Sequence, residues 1–365
     1  MTTRGDRQAA KKPPQRTRNG TPLRLALLCV FSIAIALGMQ SSGGTSESGA
    51  QSTPGKGVYV ARSEVAPNGS ILRLRLQDLD ENPFQAIASD LSLPGNIFCG
   101  PDGRLYVHER NAKNEKGRYV HRIVRFNSDG SKRTLIAEWD DVPRVPSSIV
   151  VAPNGDLYFG TSSPSTKDEP TQGIWRIADA FKADGQLKSP QQILPPTAFQ
   201  FPVSKSGGYI VAPHAFLSAG PFQGDLLVID WPKRGHVPGG HVLRVPKPDF
   251  NTVVEFIPAH TDPETGEPFH PIGLAVNSQG DVFVTDFTNG KILRYGSDGA
   301  EKGLFGKVEL ANQIAVGPTD LVYVTNSVFK DGIEHGSLFV FDSMGELLKA
   351  VDAPPHVRGV TVCQR

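Results

Sequence analysis

The chain has 365 residues, a formal net charge of +1, and 38 glycines and 30 prolines. These two residue types make up just under a fifth of the chain, which excludes low-complexity disorder and suits a fold with many turns. Residues 1–24 hold seven basic residues and one acid, so the rest of the chain carries a net charge of −5. That mildly acidic balance excludes a broad nucleic-acid-binding surface.

The first 40 residues have the pattern of an export signal. A basic region precedes an uncharged apolar run at residues 25–39, which is shorter than the roughly 20 residues that span a bilayer. The basic region is long, so an uncleaved membrane anchor over residues 23–39 is the alternative. We expect residues 1–40 to direct export and residues 41–57 to form a flexible Gly/Ser/Thr-rich tether. The folded part, residues 58–365, should then be periplasmic or secreted.

The stretch after residue 269 contains one complete unit of a repeating pattern. Residues 272–276, 282–285 and 291–295 are short apolar runs separated by turns rich in Gly, Asn and Asp, which is typical of β-strands. Copies of the unit are about 40 to 70 residues apart, in the range of propeller blades. Six copies align by the apolar triplet of one strand, at residues 58–60, 105–107, 157–159, 226–228, 282–284 and 322–324.

An inner strand is expected before each triplet, nearest the axis of a ring. The predicted inner strands are residues 96–99, 148–151, 208–211, 273–276 and 313–316, and residues 213–222 and 233–240 are predicted to be insertions in the fourth blade. The first copy has no such strand, but residues 357–362 repeat the pattern of residues 271–276. The predicted fold is therefore all-β, a six-bladed β-propeller closed by its C-terminal strand.

The repeating unit carries a family resemblance. Its segments PIGLAV, GDVFVTD and NGKILRY resemble an NHL-type repeat, and PDGRLYV and PNGDLYF resemble the related gluconolactonase (senescence-marker-protein) propellers. The resemblance covers nearly all of residues 58–365 and implies the propeller fold. It leaves the activity open, because this architecture hosts lactonases, lyases, sugar dehydrogenases and binding platforms.

Two aligned columns of residues are predicted to converge at one end of the central channel, where the loops of a propeller meet. One column lies just before the inner strands and the other lies two residues beyond the triplets, and histidines fall beside them. The candidate ligand-binding residues are Arg62, Asn96, His108, His270, Gln313 and His356.

The resemblance also implies a possible metal site, because metal-dependent members of such families hold a cation with carboxylate, Asn or His ligands near the axis. An oxygen-rich set suits Ca²⁺ or another divalent cation, and the candidates are Glu109, Asp230, Asp286 and Asn326. A lyase-like Zn²⁺ site would instead use His108, His270 and His356, with Glu109 as the base. In the competing interpretation, Asp230 and Asp286 cap turns and the histidines are ordinary loop residues.

Two classes of function remain. The sequence contains no Gly-x-Ser-x-Gly elbow, Walker loop or HExxH motif, so nucleophile-elbow hydrolysis and nucleotide chemistry have no support. We expect an exported, monomeric binding or interaction propeller that presents its loop face to a small molecule, a glycan or a protein. The alternative is a metal-dependent hydrolase, lactonase-like, or a lyase on the same face. Membrane contact is expected only through the N-terminal segment.

Cys99 and Cys363 follow the signal region, and the alignment places them on adjacent inner strands. An exported protein meets an oxidising compartment, in which such a pair could form a disulfide. Their registers differ by one residue, because Cys99 aligns with Val276 and Cys363 with Asn277. Successive side chains on a strand point to opposite faces, so the alignment favours two free thiols and leaves the disulfide as the alternative.

Overall fold

A computed structural model describes residues 56–64, 68–75, 83–139, 145–162, 173–183, 186–199, 210–231 and 239–364. All of these residues belong to one compact unit, Gln51–Arg365. The predicted export signal and nearly all of the predicted tether lie outside the described residues. In the described part of the chain, no helix is long and apolar enough to span a membrane.

Four antiparallel strands form each of six blades around a central axis. The strands of the first three blades, from the axis outward, are β24 (Val357–Gln364), β1 (Lys56–Arg62), β2 (Gly69–Leu74) and β3 (Phe84–Leu91); β4 (Pro94–Cys99), β5 (Leu105–Lys113), β6 (Tyr119–Phe126) and β7 (Thr134–Trp139); and β8 (Val145–Val151), β9 (Leu157–Ser162), β10 (Gly173–Ile177) and β11 (Gln191–Leu194).

The last three blades follow the same plan, and their strands are β12 (Ile210–Phe216), β13 (Leu226–Trp231), β14 (His241–Val245) and β15 (Val254–Ile257); β16 (Pro271–Val276), β17 (Val282–Asp286), β18 (Lys291–Tyr295) and β19 (Glu301–Lys307); and β20 (Ala311–Val316), β21 (Val322–Lys330), β22 (Ile333–Phe341) and β23 (Leu347–Ala353). A single residue pair, Ile210 and Ser162, joins the sheets of blades three and four. Two short 3₁₀ turns, Ala180–Lys182 and Pro196–Ala198, follow strands of blade three.

Blade five illustrates why the repeat folds locally. The turn between β16 and β17 is built by Asn277, whose side-chain oxygen accepts hydrogen bonds from two backbone amides in the turn at 2.8 and 3.1 Å. Gly280 closes this turn with a φ of 87°, a left-handed conformation that glycine adopts without a steric penalty. The turn sequence therefore dictates the hairpin.

The hydrophobic core lies between neighbouring blades, because successive side chains of a strand face opposite neighbours. On β17, Val282 and Val284 belong to the buried cluster shared with blade four, whereas Phe283 belongs to the cluster shared with blade six. Each blade is thus buried on both faces, and stacking around the ring buries the core.

The last strand closes the ring. Strand β24 pairs antiparallel with β1, so that Val362 lies opposite Val58 and Val360 lies opposite Val60. The side chains of Val58, Val60 and Val360 are buried in the cluster between blades six and one. This pairing matches the predicted closure of six blades by the C-terminal strand.

Cys99 and Cys363 form a disulfide with a Cα–Cα distance of 5.4 Å, so the expectation of two free thiols is wrong. The two strands belong to different blades that pack face to face. One side chain must therefore point from its blade toward the next blade, and the other must point from its blade toward the preceding one. Blade five shows this alternation, because Val276 packs toward blade four and Ala275 toward blade six. The one-residue offset between the cysteines is therefore the condition for the bond rather than an obstacle to it.

Blade four departs from the sequence prediction at its inner strand. Strand β12 continues to Phe216, which pairs with Leu226, and its register shifts after Pro213. Residues 213–216 therefore take the position that the sequence analysis assigned to residues 208–211, and they are not an insertion. The assignment was wrong because a proline normally argues against a strand interior, and here Pro213 lies at the register shift.

Candidate functional site

Described residues line two cavities in the central channel, and the smaller has a volume of about 200 Å³. It lies where the inner strands begin and the second strands end, and we name it the polar cavity. All six blades contribute to its wall. Its polar lining residues are Asn96, His108, Arg110, Ser147, His214, Asn312, Gln313 and Arg358, and its apolar side chains are Ala212, Ile229, Trp231, Pro271 and Ile272.

Strand β5 supplies two of these side chains, His108 and Arg110, which are two residues apart and so project from the same face. His108 is 1% exposed, and its Nδ1 atom has no hydrogen-bond partner among the described residues. A Cβ atom at Gly95 would lie 1.9 Å from His108 Nε2. Glycine at this position is therefore what admits the His108 ring to the cavity wall.

Two buried imidazoles line the cavity as neutral groups. Burial lowers the pKa of His108 well below its ordinary value, and the neighbouring Arg110 and His121 lower it further. Burial lowers the pKa of His214 to about 3. Both rings are therefore uncharged at neutral pH, and each has one donor and one acceptor nitrogen.

Two arginines give the cavity its charge. Arg358 is ion-paired with Glu334, with N–O distances of 2.8 and 3.1 Å. Arg110 has no ion pair with any described residue, and its Nε atom is buried without a hydrogen-bond partner. Burial lowers the pKa of the Arg110 guanidinium, and the positive charge of Arg358 lowers it further. None of the described residues that line the cavity is Asp or Glu, so its wall is positively charged.

Asn96 and Gln313 meet near the axis. Asn96 Nδ2 donates a hydrogen bond to Gln313 Oε1 at 3.4 Å, and Gln313 Nε2 donates to the carbonyl oxygen of Ile272 at 3.3 Å. Both residues line both cavities of the channel. The structure thus brings three of the six predicted ligand-binding residues, Asn96, His108 and Gln313, into one wall.

Two of the other candidates have acidic partners outside that wall. Arg62 pairs with Glu64 at an N–O distance of 2.7 Å. His356 Nδ1 lies 2.6 Å from a carboxylate oxygen of Glu334, the same side chain that pairs with Arg358. His356 therefore contributes to the cavity indirectly, through the carboxylate that it shares with Arg358.

His270, the sixth candidate, lies behind the wall. Its ring centroid is 4.0 Å from that of Trp231, which lines the cavity, and its Nδ1 atom lies 2.6 Å from Thr288 Oγ1. The histidine thus packs against the indole ring and is not itself part of the cavity lining. It is a supporting residue of the aromatic section of the wall.

The carboxylates of the predicted metal column are engaged in other contacts. Glu109 accepts a hydrogen bond from the Ser92 amide at 2.9 Å and pairs with Arg133 at 2.7 Å. Asp286 accepts hydrogen bonds from the side chain and the backbone amide of Asn289, at 2.8 and 3.4 Å. Burial raises the pKa of Asp286. The contacts of Asp286 are those of a residue that caps the following turn.

Asp230 and Asn326 are also buried near the ends of their second strands. Asn326 Nδ2 donates a hydrogen bond to the carbonyl oxygen of Glu309 at 3.2 Å. Across the described residues, which include all of the candidate ligands, no group of three or more His, Cys, Asp or Glu side chains is arranged to hold a metal ion. The Ca²⁺ and Zn²⁺ hypotheses therefore gain no support from this arrangement.

Sequence reasoning missed His214 and Arg110, and both had a signal. In blades two, three, five and six, the first residue of the triplet lies six positions after the last residue of the inner strand, as Leu105 does after Cys99. In blade four, Leu226 lies 15 positions after residue 211 but only 10 positions after Phe216. The shorter spacing is nearer to that of the other blades and favours an inner strand that ends at Phe216 and contains His214. Residues two apart on a strand project from the same face, so the prediction that His108 faces the channel also predicts that Arg110 does.

The larger cavity, of about 800 Å³, lies at the opposite end of the channel, and we name it the apolar cavity. The final residues of the inner strands line it, including Cys99, Val276 and Val316. Lys247 is the one charged side chain among the described residues of its lining. The two ends of the channel therefore differ in chemistry.

These features define a six-bladed β-propeller with a cavity in its channel. The family model for the NHL repeat matches residues 270–295, which span the first three strands of blade five. The chain is thus a β-propeller that carries an NHL repeat, in agreement with the resemblance of its repeating unit. No curated protein sequence matches the chain.

Several solved structures are similar to this chain at low sequence identity. A chain of the crystal structure of a nidogen/laminin complex has a TM-score of 0.57 at 12% identity, covering 85% of this chain and 100% of that one. A gluconolactonase from Xanthomonas campestris has a TM-score of 0.49 at 14% identity, covering 74% and 83%. A streptogramin B lyase has a TM-score of 0.42 at 15% identity, covering 72% and 69%. At these identities the similarity concerns the fold alone.

Proposed function

We propose that this chain is an extracytoplasmic binding propeller that takes a small molecule into the polar cavity. The observation that carries the proposal is the convergence of side chains from all six blades on one cavity whose wall contains buried polar atoms without partners, among them His108 Nδ1 and Arg110 Nε. Leaving such atoms unpaired is unfavourable, and convergent polar groups in an otherwise apolar cavity are the usual features of a ligand site.

The composition of the wall favours binding over catalysis. Ser147 is the only hydroxyl side chain among the described lining residues, and it donates a hydrogen bond to the carbonyl oxygen of Val211 at 2.6 Å. None of the described lining residues is a carboxylate that could serve as a general base, and burial lowers the pKa of both His108 and His214, which makes them weak bases. The alternative, a metal-dependent hydrolase or lyase on the same face, would have to rely on one of these weakly basic imidazoles.

Two observations support the extracytoplasmic part of the proposal. The basic and apolar pattern of residues 1–40 is that of an export signal. The disulfide between Cys99 and Cys363 suits an oxidising compartment, since such bonds rarely persist in a reducing cytoplasm. A reporter fused after Gly57 should be active only outside the cytoplasm, and a fusion active only inside it would contradict export.

A cavity-filling variant tests the binding function. Asn312 lines the polar cavity, and its side chain makes no hydrogen bond with any described residue, so Asn312→Trp should fill the space with little effect on the fold. The full chain would be titrated calorimetrically with lactate, benzoate, glucose and choline. We expect at least one probe to bind with a Kd below about 1 mM and to lose binding in the variant. Failure of all four probes, or binding that the variant leaves unchanged, would contradict the proposal.

A further inference from the structure

Arg110 is the feature of the polar cavity that the fold does not explain. Its guanidinium lines the cavity, but it has no ion pair with any described residue, and its Nε atom has no hydrogen-bond partner. Arg110 is half-buried, and a partly desolvated charge without a counter-charge is less favourable than one that is paired. The position of Arg110 therefore indicates a partner that is not part of the protein.

Two acidic residues next to residues of this wall already have partners. Glu334 is shared by Arg358 and His356, and Glu109, which is adjacent to Arg110 on β5, pairs with Arg133. Because β5 is a strand, Glu109 points to the face opposite to that of Arg110. Neither carboxylate neutralises Arg110, so the two arginines of the wall keep an excess positive charge.

The remaining wall residues describe the rest of the ligand. His108 and His214 are neutral rings with donor and acceptor nitrogens, and Asn96 and Gln313 add amide groups. Trp231 and Ile229 form an apolar section of the same wall. The volume of about 200 Å³ corresponds to about seven water molecules in the liquid, which is enough for a compact organic molecule.

We propose that the polar cavity binds a small organic carboxylate, whose two oxygens are held by the Arg110 guanidinium and whose body packs against Trp231 and Ile229. A planar guanidinium matches a carboxylate with two parallel hydrogen bonds, which is why arginine recognises this group. The inference rests on the proposed binding function and adds the chemical class of the ligand.

Calorimetric titration of the full chain with matched probes tests the charge requirement. Benzoate and lactate are the carboxylates, benzamide and lactamide are their neutral counterparts, and inorganic phosphate is an anion without an organic body. We expect a carboxylate to bind with a Kd below about 1 mM and its amide to bind more than about tenfold more weakly. Equal affinity for acid and amide would overturn the inference. Phosphate binding as tight as that of the carboxylates would overturn the organic part of it.

Variants of Arg110 locate the contact. Arg110→Gln should weaken carboxylate binding by about tenfold to a hundredfold. Arg110→Lys should recover part of the affinity, because lysine keeps the positive charge but cannot form the two parallel hydrogen bonds of a guanidinium. Arg104→Gln is the matched control, since Arg104 precedes β5, at its opposite end, and its side chain forms a weak ion pair with Asp102 at 3.8 Å. Equal losses in Arg110→Gln and Arg104→Gln would mean that net charge alone attracts the anion and would overturn the site.

The two proposals fail in different ways. If glucose or choline binds and Asn312→Trp abolishes that binding, while the carboxylates do not bind, the binding function stands and the carboxylate inference falls. If no probe binds, both fall. Circular dichroism of each variant separates a lost contact from a lost fold.

Discussion

Strands β4 and β24 run side by side from the polar cavity to the apolar cavity, and they carry different chemistry at their two ends. At the polar end they present Asn96 and Arg358 to the cavity. At the other end Cys99 and Cys363 join them covalently. The two ends therefore differ in role. Polar groups at one end are available to a ligand, and the disulfide at the other end fixes the two strands that carry them.

Removing the last strand should produce the largest effect. Deletion of residues 356–365 removes β24, leaves the inner edge of β1 unpaired and exposes Val58 and Val60, so we expect a loss of more than about 5 kcal/mol or failure to fold. Thermal unfolding followed by circular dichroism measures it. A truncated protein with the melting temperature of the full chain would show that closure by β24 is not required.

Removing only the disulfide separates the bond from the strand. Cys363→Ser keeps β24 in place and should lower the free energy of unfolding by about 2 to 5 kcal/mol, because the bond closes a loop with a sequence separation of 264 residues. Cys99→Ser should give the same loss, and the double variant should lose no more than either single one. Alkylation and mass measurement of the unreduced protein checks the bond, and two free thiols in the native protein would contradict it.

The pH dependence of stability tests the burial of His214 in the wall of the polar cavity. His214 is neutral in the fold, with its pKa lowered to about 3, whereas in the unfolded chain it takes up a proton near pH 6.5. The unfolded state therefore binds more protons between these values, and stability falls as the pH drops below 6.5. From pH 6.5 to 5 this one group should cost about 2 kcal/mol. Urea unfolding at several pH values measures the slope, which His214→Gln should reduce. An unchanged slope would refute this assignment.

Asp286→Ala tests the metal hypothesis on a residue that we interpret as a turn cap. Loss of its hydrogen bonds to Asn289 should lower stability by about 1 to 2 kcal/mol, with no change in the response to Ca²⁺. Urea unfolding gives the first quantity and calorimetric titration with Ca²⁺ gives the second. Heat of Ca²⁺ binding that is present in the natural protein and lost in the variant would restore the metal site.

Arg110→Met should have the smallest effect on stability and the opposite sign. Replacing an unpaired charge in the cavity wall by an apolar side chain of similar length should raise the free energy of unfolding by about 1 kcal/mol. Urea unfolding without added ligand measures it. A loss of stability would mean that Arg110 supports the fold, and the contrast between the two ends would weaken.

Features decided by neighbouring residues could be predicted from the sequence, and features decided by contacts across the ring could not. The hairpin of blade five follows from Asn277 and Gly280, and the closing strand follows from its repeat pattern. The cysteine pair depends on how two separate sheets face each other, which a one-blade alignment does not contain. The unpaired state of Arg110 is even harder to predict from the sequence, because it depends on Glu109 and Glu334 having other partners.

The position of β24 has a consequence for the order in which the protein is made. Strand β1 leaves the ribosome first among the strands, and its inner partner follows about 300 residues later, after about 15 to 60 seconds of synthesis. Blades two to six each consist of consecutive strands and can form during that interval. Arg358 lies on β24, so the polar cavity is incomplete until β24 has been synthesised. A chain released before β24 therefore carries five complete blades and no complete ligand site.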